Sequence, residues 1–330
     1  MTVSVCIPTY NQASYIEQAI LSAVNQTVKP FEIIVCDDSS TDETSIILKK
    51  LSGEIPTLKV FIQPHNLGIS ANADYCLRLA TGDYIVRLDS DDLLLPQYIE
   101  KLAILLNKFP GAGYAHAAVN EIDEHGNLIR ERMLWRTSEF LNGDAALKVA
   151  AQGYKVAANI IMFRKTALKE ADYVSLKINF CEDYYLSAQI AANGYGNIYY
   201  PGFLSCYRVW NNRGKVSRKI AEIMGLTAVF DEVLEPAFIK RGWNTLVIKR
   251  HREKFAAVHA DSLGFKGYSL DQKLDLKTNI LKLSGTRRTK IYLWLYENNF
   301  GPIITFYNNG MKKVKLSGKN AILKLFKKKI

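Results

Sequence analysis

Four short runs rich in β-branched residues, VSVCIP at 3–8, FEIIVC at 31–36, Leu58 to Ile62 and YIVRL at 84–88, alternate with segments of helical spacing. After the first run, Ile16, Ala19, Ile20, Ala23 and Val24 recur on one helical face. Ser40 with Glu43 forms a capping box that predicts a helix through about Leu51. Another helix is expected from about Ser70 to Leu79, after the His65-Asn66-Leu67-Gly68 turn. Strands alternating with helices at this spacing predict an α/β fold with a doubly wound, mainly parallel sheet. Ligands then gather at the carboxyl ends of the strands. Those ends carry Pro8 to Asn11, Asp37-Asp38 and Asp89-Ser90-Asp91-Asp92.

Beyond Pro96 the pattern becomes mixed, with β-like pieces at 113–119, 156–163 and 204–209 and a helix around Asp183 to Ala192. After Trp210 it is mostly helical and basic. Residues 211–330 hold 25 Lys and Arg against 9 Asp and Glu, net +16, while the first 210 residues, with 18 against 23, carry −5. An acidic first part and a basic last part predict chemistry in 1–210 and attraction to anionic surfaces in 211–330. With 48% apolar residues the chain can bury a large core, which excludes a disordered or collagenous chain. The start, MTVSVCIPTY, lacks a basic flank and a long apolar run, so the expectation is a cytoplasmic protein without a membrane span. Five cysteines, Cys6, Cys36, Cys76, Cys181 and Cys206, stand singly and read as reduced, mostly buried thiols.

Three carboxylates within four residues at a strand end repel one another unless a cation sits among them. Hard oxygens with open positions suit Mg²⁺ or Mn²⁺ bridging to a phosphate, and the same aspartates also suit a polar turn that caps the next helix. Asp37-Asp38 has the same two sides. One can start the Ser40 turn, and a strand-end carboxylate can accept the imide N–H of uracil or the N1–H of guanine.

In order and spacing, VSVCIPTYNQASYIEQAILSAVNQT, FEIIVCDDSSTDET and NLGISANADYCLRLATGDYIVRLDSDD resemble the family 2 glycosyltransferases of GT-A fold. The resemblance covers residues 1 to about 95 and thins to a few positions between 96 and 210. It implies inverting, non-processive transfer of a sugar from a nucleotide-diphosphate donor, UDP-sugar favoured, to a hydroxyl of a glycan or lipid-linked glycan. It implies residues 1–95 as the donor-binding half, 96–210 as the acceptor half, and a divalent cation, Mn²⁺ or Mg²⁺, on the diphosphate. By position, Pro8 and Tyr10 border the base, with Tyr10 stacking on it, and Asp38 accepts from its N–H edge. Asp89 and Asp91 are the carboxylates of the Asp-x-Asp motif, with Asp91 or Asp92 as the direct metal ligand. The stretch Phe180 to Tyr185 matches the later helix start that carries the base: Asp183, with Glu182 beside it. A positioned carboxylate taking the acceptor's proton contributes about 10²- to 10⁴-fold. Both acids also suit a helix's first turn without catalysis.

Two positions depart from the family pattern. Ala73 stands where many members carry an arginine, and Trp210 where many have a histidine two residues after Tyr207-Arg208. Arg208 reads either as a diphosphate contact or as a strand arginine with a solvated head, and Trp135-Arg136 either as a cover on the acceptor pocket or as a packed loop. A sugar nucleotidyltransferase would carry a Gly-rich, basic loop after the first strand, which Pro8 to Gln12 is not. A nucleic-acid-binding protein would leave the acidic strand ends unexplained, so nucleic acid is not an expected partner. From Met311 to Ile330 eight lysines and no acid interleave with Ile, Leu and Phe, a pattern suited either to peripheral contact with an anionic membrane or to a solvated tail.

Overall fold

The computed structural model describes residues 1–300 apart from 137, 179, 211–215 and 266, so the tail at 311–330, suited either to membrane contact or to solvent, lies outside the described residues. Contacts divide the chain into two units, Met1–Ile248 and Lys249–Ile330. This boundary falls later than the expected 210/211, because the helices after residue 215 bury Ile223, Phe230, Val233, Leu234 and Phe238 within the first unit.

In chain order the first unit contains β1 (Val3–Thr9), α1 (Ile16–Val24), β2 (Glu32–Asp37), α2 (Thr44–Glu54), β3 (Leu58–Ile62), α3 (Ile69–Arg78), β4 (Tyr84–Arg87) and β5 (Leu93–Leu94). There follow α4 (Tyr98–Lys108), β6 (Ala112–Ile122), β7 (Leu128–Arg132), β8 (Phe140–Leu141), α5 (Gly143–Ala150), β9 (Ile161–Arg164), α6 (Lys165–Glu170), α7 (Glu182–Ala192) and β10 (Gly196–Arg208). Helix α8 (Val216–Ala228) runs through a π-helical stretch, Val229–Leu234, into α9 (Glu235–Lys240). The second unit is helical: most of α10 (Leu246–His259), then α11 (Leu270–Leu283), opened by a Ser269–Gln272 capping box, and α12 (Arg287–Glu297). Among the described residues no helix is long and apolar enough to cross a membrane.

The strands form one ten-stranded sheet in the order β3-β2-β1-β4-β9-β6-β10-β5, with β7 on β6 and β8 on β10. Strands β3, β2, β1 and β4 are parallel, as are β6 and β10, and β9 is antiparallel between the two groups. Residues of β1 and β2 are apolar on both faces because helices cover both. Val5, Ile7, Ile33 and Val35 join α1, α2 and α4 in one core, while Cys6, Ile34 and Cys36 join α3 and α7 on the other side. All five cysteines are free. Each large aliphatic side chain buried this way contributes about 1.5–3 kcal/mol.

Ser40 does not cap α2, contrary to the capping-box expectation. Its hydroxyl donates to Asp37 and accepts from the Asn11 amide, so the helix starts three residues later than the box implies.

His116 on β6 is 1% exposed, and neither ring nitrogen has a hydrogen-bond partner among the described residues. Burial, reinforced by the charge of Arg136, pushes its pKa from 6.5 down to about 3. Between those values the unfolded chain takes up a proton that the folded protein refuses, so stability falls as pH drops below 6.5. The expected loss through this group is on the order of 2 kcal/mol at pH 5. Urea unfolding midpoints at pH 7.5 and 5 should show it for the wild type and a smaller drop for His116→Phe. An equal drop in both would contradict the assignment.

Candidate active site

Register brings the three polar strand ends together. Thr9 pairs with Asp37, and Cys6 with Arg87, so the residues following β1, β2 and β4 emerge at one edge of the sheet. A cleft of about 400 Å³ opens there, lined among others by Pro8, Tyr10, Asp38, Asn72, Arg87, Asp89 and Asp91. The loops that frame it are tied to one another: Asn11 Oδ1 accepts from the Thr41 amide at 2.8 Å, and Thr44 Oγ1 from the Gln12 amide at 3.0 Å. Asp38 accepts from the Leu67 and Gly68 amides at 2.7 and 2.9 Å, which anchors the turn before α3, where Gly68 takes φ 89°. One carboxylate offers about four lone-pair sites, so this clasp leaves capacity for a ligand. Tyr10 lines the cleft and is 44% exposed.

Arg87 connects the cleft to α7. Strand alternation puts it on the same face as Ile85, where α7 packs. Its fully buried guanidinium donates to Asp183, lies 3.5 Å from Glu182, and reaches Asp89 Oδ1 at 3.3 Å through Nε. One cation therefore holds Asp89 and both expected base candidates. Burial raises the Asp183 carboxyl above the ordinary carboxylate range, and the adjacent Arg87 opposes that rise. The turn into α7 is set by Cys181 at φ 65° and by α8, which passes so close that a Cβ on Gly225 would lie 2.1 Å from the Phe180 carbonyl oxygen.

The two expected metal carboxylates part ways. Asp91 lines the cleft and accepts from Trp210 Nε1 at 2.6 Å, so the tryptophan in the histidine's place orients this carboxylate. Asp92 does not line the cleft. It is buried, with Oδ1 taken by the Arg208 amide at 2.7 Å and Oδ2 without a partner among the described residues. Burial and the like charges of Asp91 and Asp89 push Asp92 well above the usual range. Arg208 meets neither of its expected fates. Its side chain is buried and donates to the backbone oxygens of Asp91, Asp123 and Glu124 at 2.7–3.1 Å, bracing the acidic turn. Ala73 is packed into the core. Among the described residues no group of three or more His, Cys, Asp or Glu is arranged to hold a metal. Asp89 and Asp91 do fit a hard cation that completes its shell with phosphate and water, the usual manner of Mg²⁺ and Mn²⁺.

A family model described as glycosyl transferase family 2 matches residues 4–170, just over half of the chain. The chain belongs to that family. Among its family 2 relatives, the chondroitin synthase of Escherichia coli is 38% identical over 133 residues, which are 40% of this chain and 19% of that protein. The chain thus spans about a fifth of that relative's length. The structure of S. aureus TarS 1–349 in complex with UDP-GlcNAc superposes with a TM-score of 0.69 at 16% identity, covering 94% of this chain and 92% of that one. The mannosyltransferase PcManGT of Pyrobaculum calidifontis, in complex with GDP-Man and Mn²⁺, superposes at 0.54 with 18% identity over 92% and 86%. These likenesses establish the GT-A fold. For this family 2 chain, the residue that sequence reasoning missed is Arg87. Its signal was a lone charge inside the otherwise apolar strand YIVRL.

Proposed function

We propose that this protein transfers a sugar from a nucleotide-diphosphate donor, a UDP-sugar before others, to a hydroxyl of a glycan or lipid-linked glycan, with inversion and with a divalent cation on the diphosphate. The observation that carries the reading is Arg87, which brings Asp183, a carboxylate 96 residues further along, to the edge that carries Asp89 and Asp91. The complexes of TarS with UDP-GlcNAc and of PcManGT with GDP-Man and Mn²⁺ support it.

In this reading Tyr10 stacks on the base, Pro8 borders it and Asp38 accepts from its N–H edge. Asp89 and Asp91 hold the cation, while Asp92 braces the turn from inside. The cation, Mn²⁺ or Mg²⁺, supplies Lewis-acid neutralisation of the departing nucleoside diphosphate. Asp183 takes the proton of the acceptor hydroxyl as its oxygen bonds to the anomeric carbon and the phosphate oxygen leaves from the opposite face. A single displacement of this kind inverts the centre. Arg87 fixes the direction of the Asp183 carboxylate. Residues 1–95 then serve the donor and 96–210 the acceptor, with the basic region from 211 onward outside the chemistry.

A thermal-shift screen of UDP-, GDP- and dTDP-sugars with and without Mn²⁺ tests this. A ligand that binds only the folded state stabilises it by about 2.7 kcal/mol at a hundred times its Kd. The expected result is a rise in Tm with at least one nucleotide-sugar in the presence of Mn²⁺, UDP-sugars first. No shift with any donor would contradict the proposal.

A further inference from the structure

A second cavity, of about 530 Å³, lies among β6, β10, α5 and α7, bordered by the segments around Trp135 and Tyr154. It adjoins the proposed base: Tyr184, the residue after Asp183, lines it, and Tyr154 lies close enough to Asp183 and Arg87 to interact with both charges.

The charge of this lining is one-sided. Arg136 and Lys155 face the cavity, and no Asp or Glu is among its lining residues. Arg136 spends its donors on neutral acceptors, Asn197 Oδ1 at 2.6 Å, the Asn197 carbonyl at 2.9 Å and the Glu139 carbonyl at 3.4 Å, while its Nε is buried without a partner among the described residues. The nearby Glu139 carboxylate is committed to Lys108 at 3.0 Å. Neither Arg136 nor Lys155 is in an ion pair among the described residues, so a half-buried guanidinium stands without a counter-ion beside an open cavity. Taking a cation out of water without an anion is costly, and a guanidinium fork matches a carboxylate or phosphate. At the rim, Trp135 is 82% exposed, although an indole is normally kept largely from water. Such a ring offers a flat apolar face to the C–H side of a sugar, as do the tyrosines deeper in.

We infer that this cavity is an acceptor subsite for an acidic sugar residue, one bearing a carboxylate or a phosphate, seated with its ring on Trp135 and its anion on Arg136 and Lys155. The inference rests on the glycosyltransferase reading and specifies its acceptor.

The test is a glycan array carrying neutral, uronic-acid-bearing and phosphate-bearing oligosaccharides, probed with the labelled full chain and with its Arg136→Gln, Lys155→Gln and Trp135→Ala variants. The expected result is signal concentrated on one acidic class, which identifies the anion as carboxylate or phosphate. Arg136→Gln or Lys155→Gln should lower that signal at least 10-fold, and Trp135→Ala should lower it too. Lys155 is exposed, so its variant keeps the test valid if Arg136→Gln fails to fold, as judged by its melting curve. Equal signal on neutral glycans, no signal on any, or acidic binding that survives both charge removals would overturn the inference, the last assigning the binding to the chain's other lysines. The donor thermal shift, measured on the same samples, separates the two levels. Its absence in the wild type defeats the glycosyltransferase reading, whereas its presence without a preference for acidic glycans defeats only the subsite.

Discussion

Replacing Asp183 by Asn is expected to lower kcat by at least about 10²-fold while leaving donor affinity unchanged. Asn keeps a carbonyl oxygen to accept from Arg87 and nearly the same volume, but it cannot take a proton from the acceptor at neutral pH. The pH profile carries a second signature. Because burial raises the Asp183 carboxyl, the base stays protonated to higher pH than an ordinary carboxylate, so wild-type kcat should fall on the acid side through a midpoint above the usual carboxylate range. If the carboxylate only stabilised the first turn of α7, the variant would lose about 1 kcal/mol or less and turn over normally. Retained kcat in Asp183→Asn moves the base to Glu182, whose Gln variant should then be the inactive one.

The largest effect on stability is expected at Arg87. Removing it as Arg87→Met leaves Asp183, Glu182 and Asp89 facing one another without their shared cation, two of them almost out of water. Breaking a buried pair from one side costs about 3–5 kcal/mol, and denaturant unfolding should show a loss of that size. Arg87→Lys keeps the charge but cannot spread a planar fork over three carboxylates, so it should recover stability while kcat stays depressed. Combining Arg87→Met with Asp183→Asn should restore part of the loss, since the second change removes one of the orphaned charges. A double variant as unstable as the sum of the two singles would mean that Arg87 and Asp183 are not the partners described.

What was legible in the sequence follows the range of the interactions. The alternation of β1 to β4 with α1 to α3 is local periodicity, and the positions of Asp38, Asp89 and Asp91 at the strand ends follow from it. Partners distant in the chain were not legible. Arg87 is a charge in a buried strand, and no local pattern says that its counter-ion lies 96 residues away. The same holds for Trp210 on Asp91 and for the Arg208 amide that turns Asp92 inward. Ser40 reads as a helix cap from spacing alone, and the competing acceptor, Asp37, wins because it is buried beside it. Strand β10 is twice as long as its apolar run suggested. The strand runs through Pro201-Gly202, which it absorbs as register shifts between Tyr200 and Ser205.

In the proposed function the cleft holds a donor diphosphate through a divalent cation on Asp89 and Asp91. The most direct measurement is a calorimetric titration of the best nucleotide-sugar into the wild type and Asp91→Asn, each with Mn²⁺ and with EDTA. Mn²⁺ is expected to tighten binding to the wild type at least about 10-fold, since the carboxylates and the diphosphate otherwise meet as like charges, and Asp91→Asn to abolish the difference. Wild-type affinity that is the same in EDTA as in Mn²⁺, and unchanged by Asp91→Asn, would contradict it.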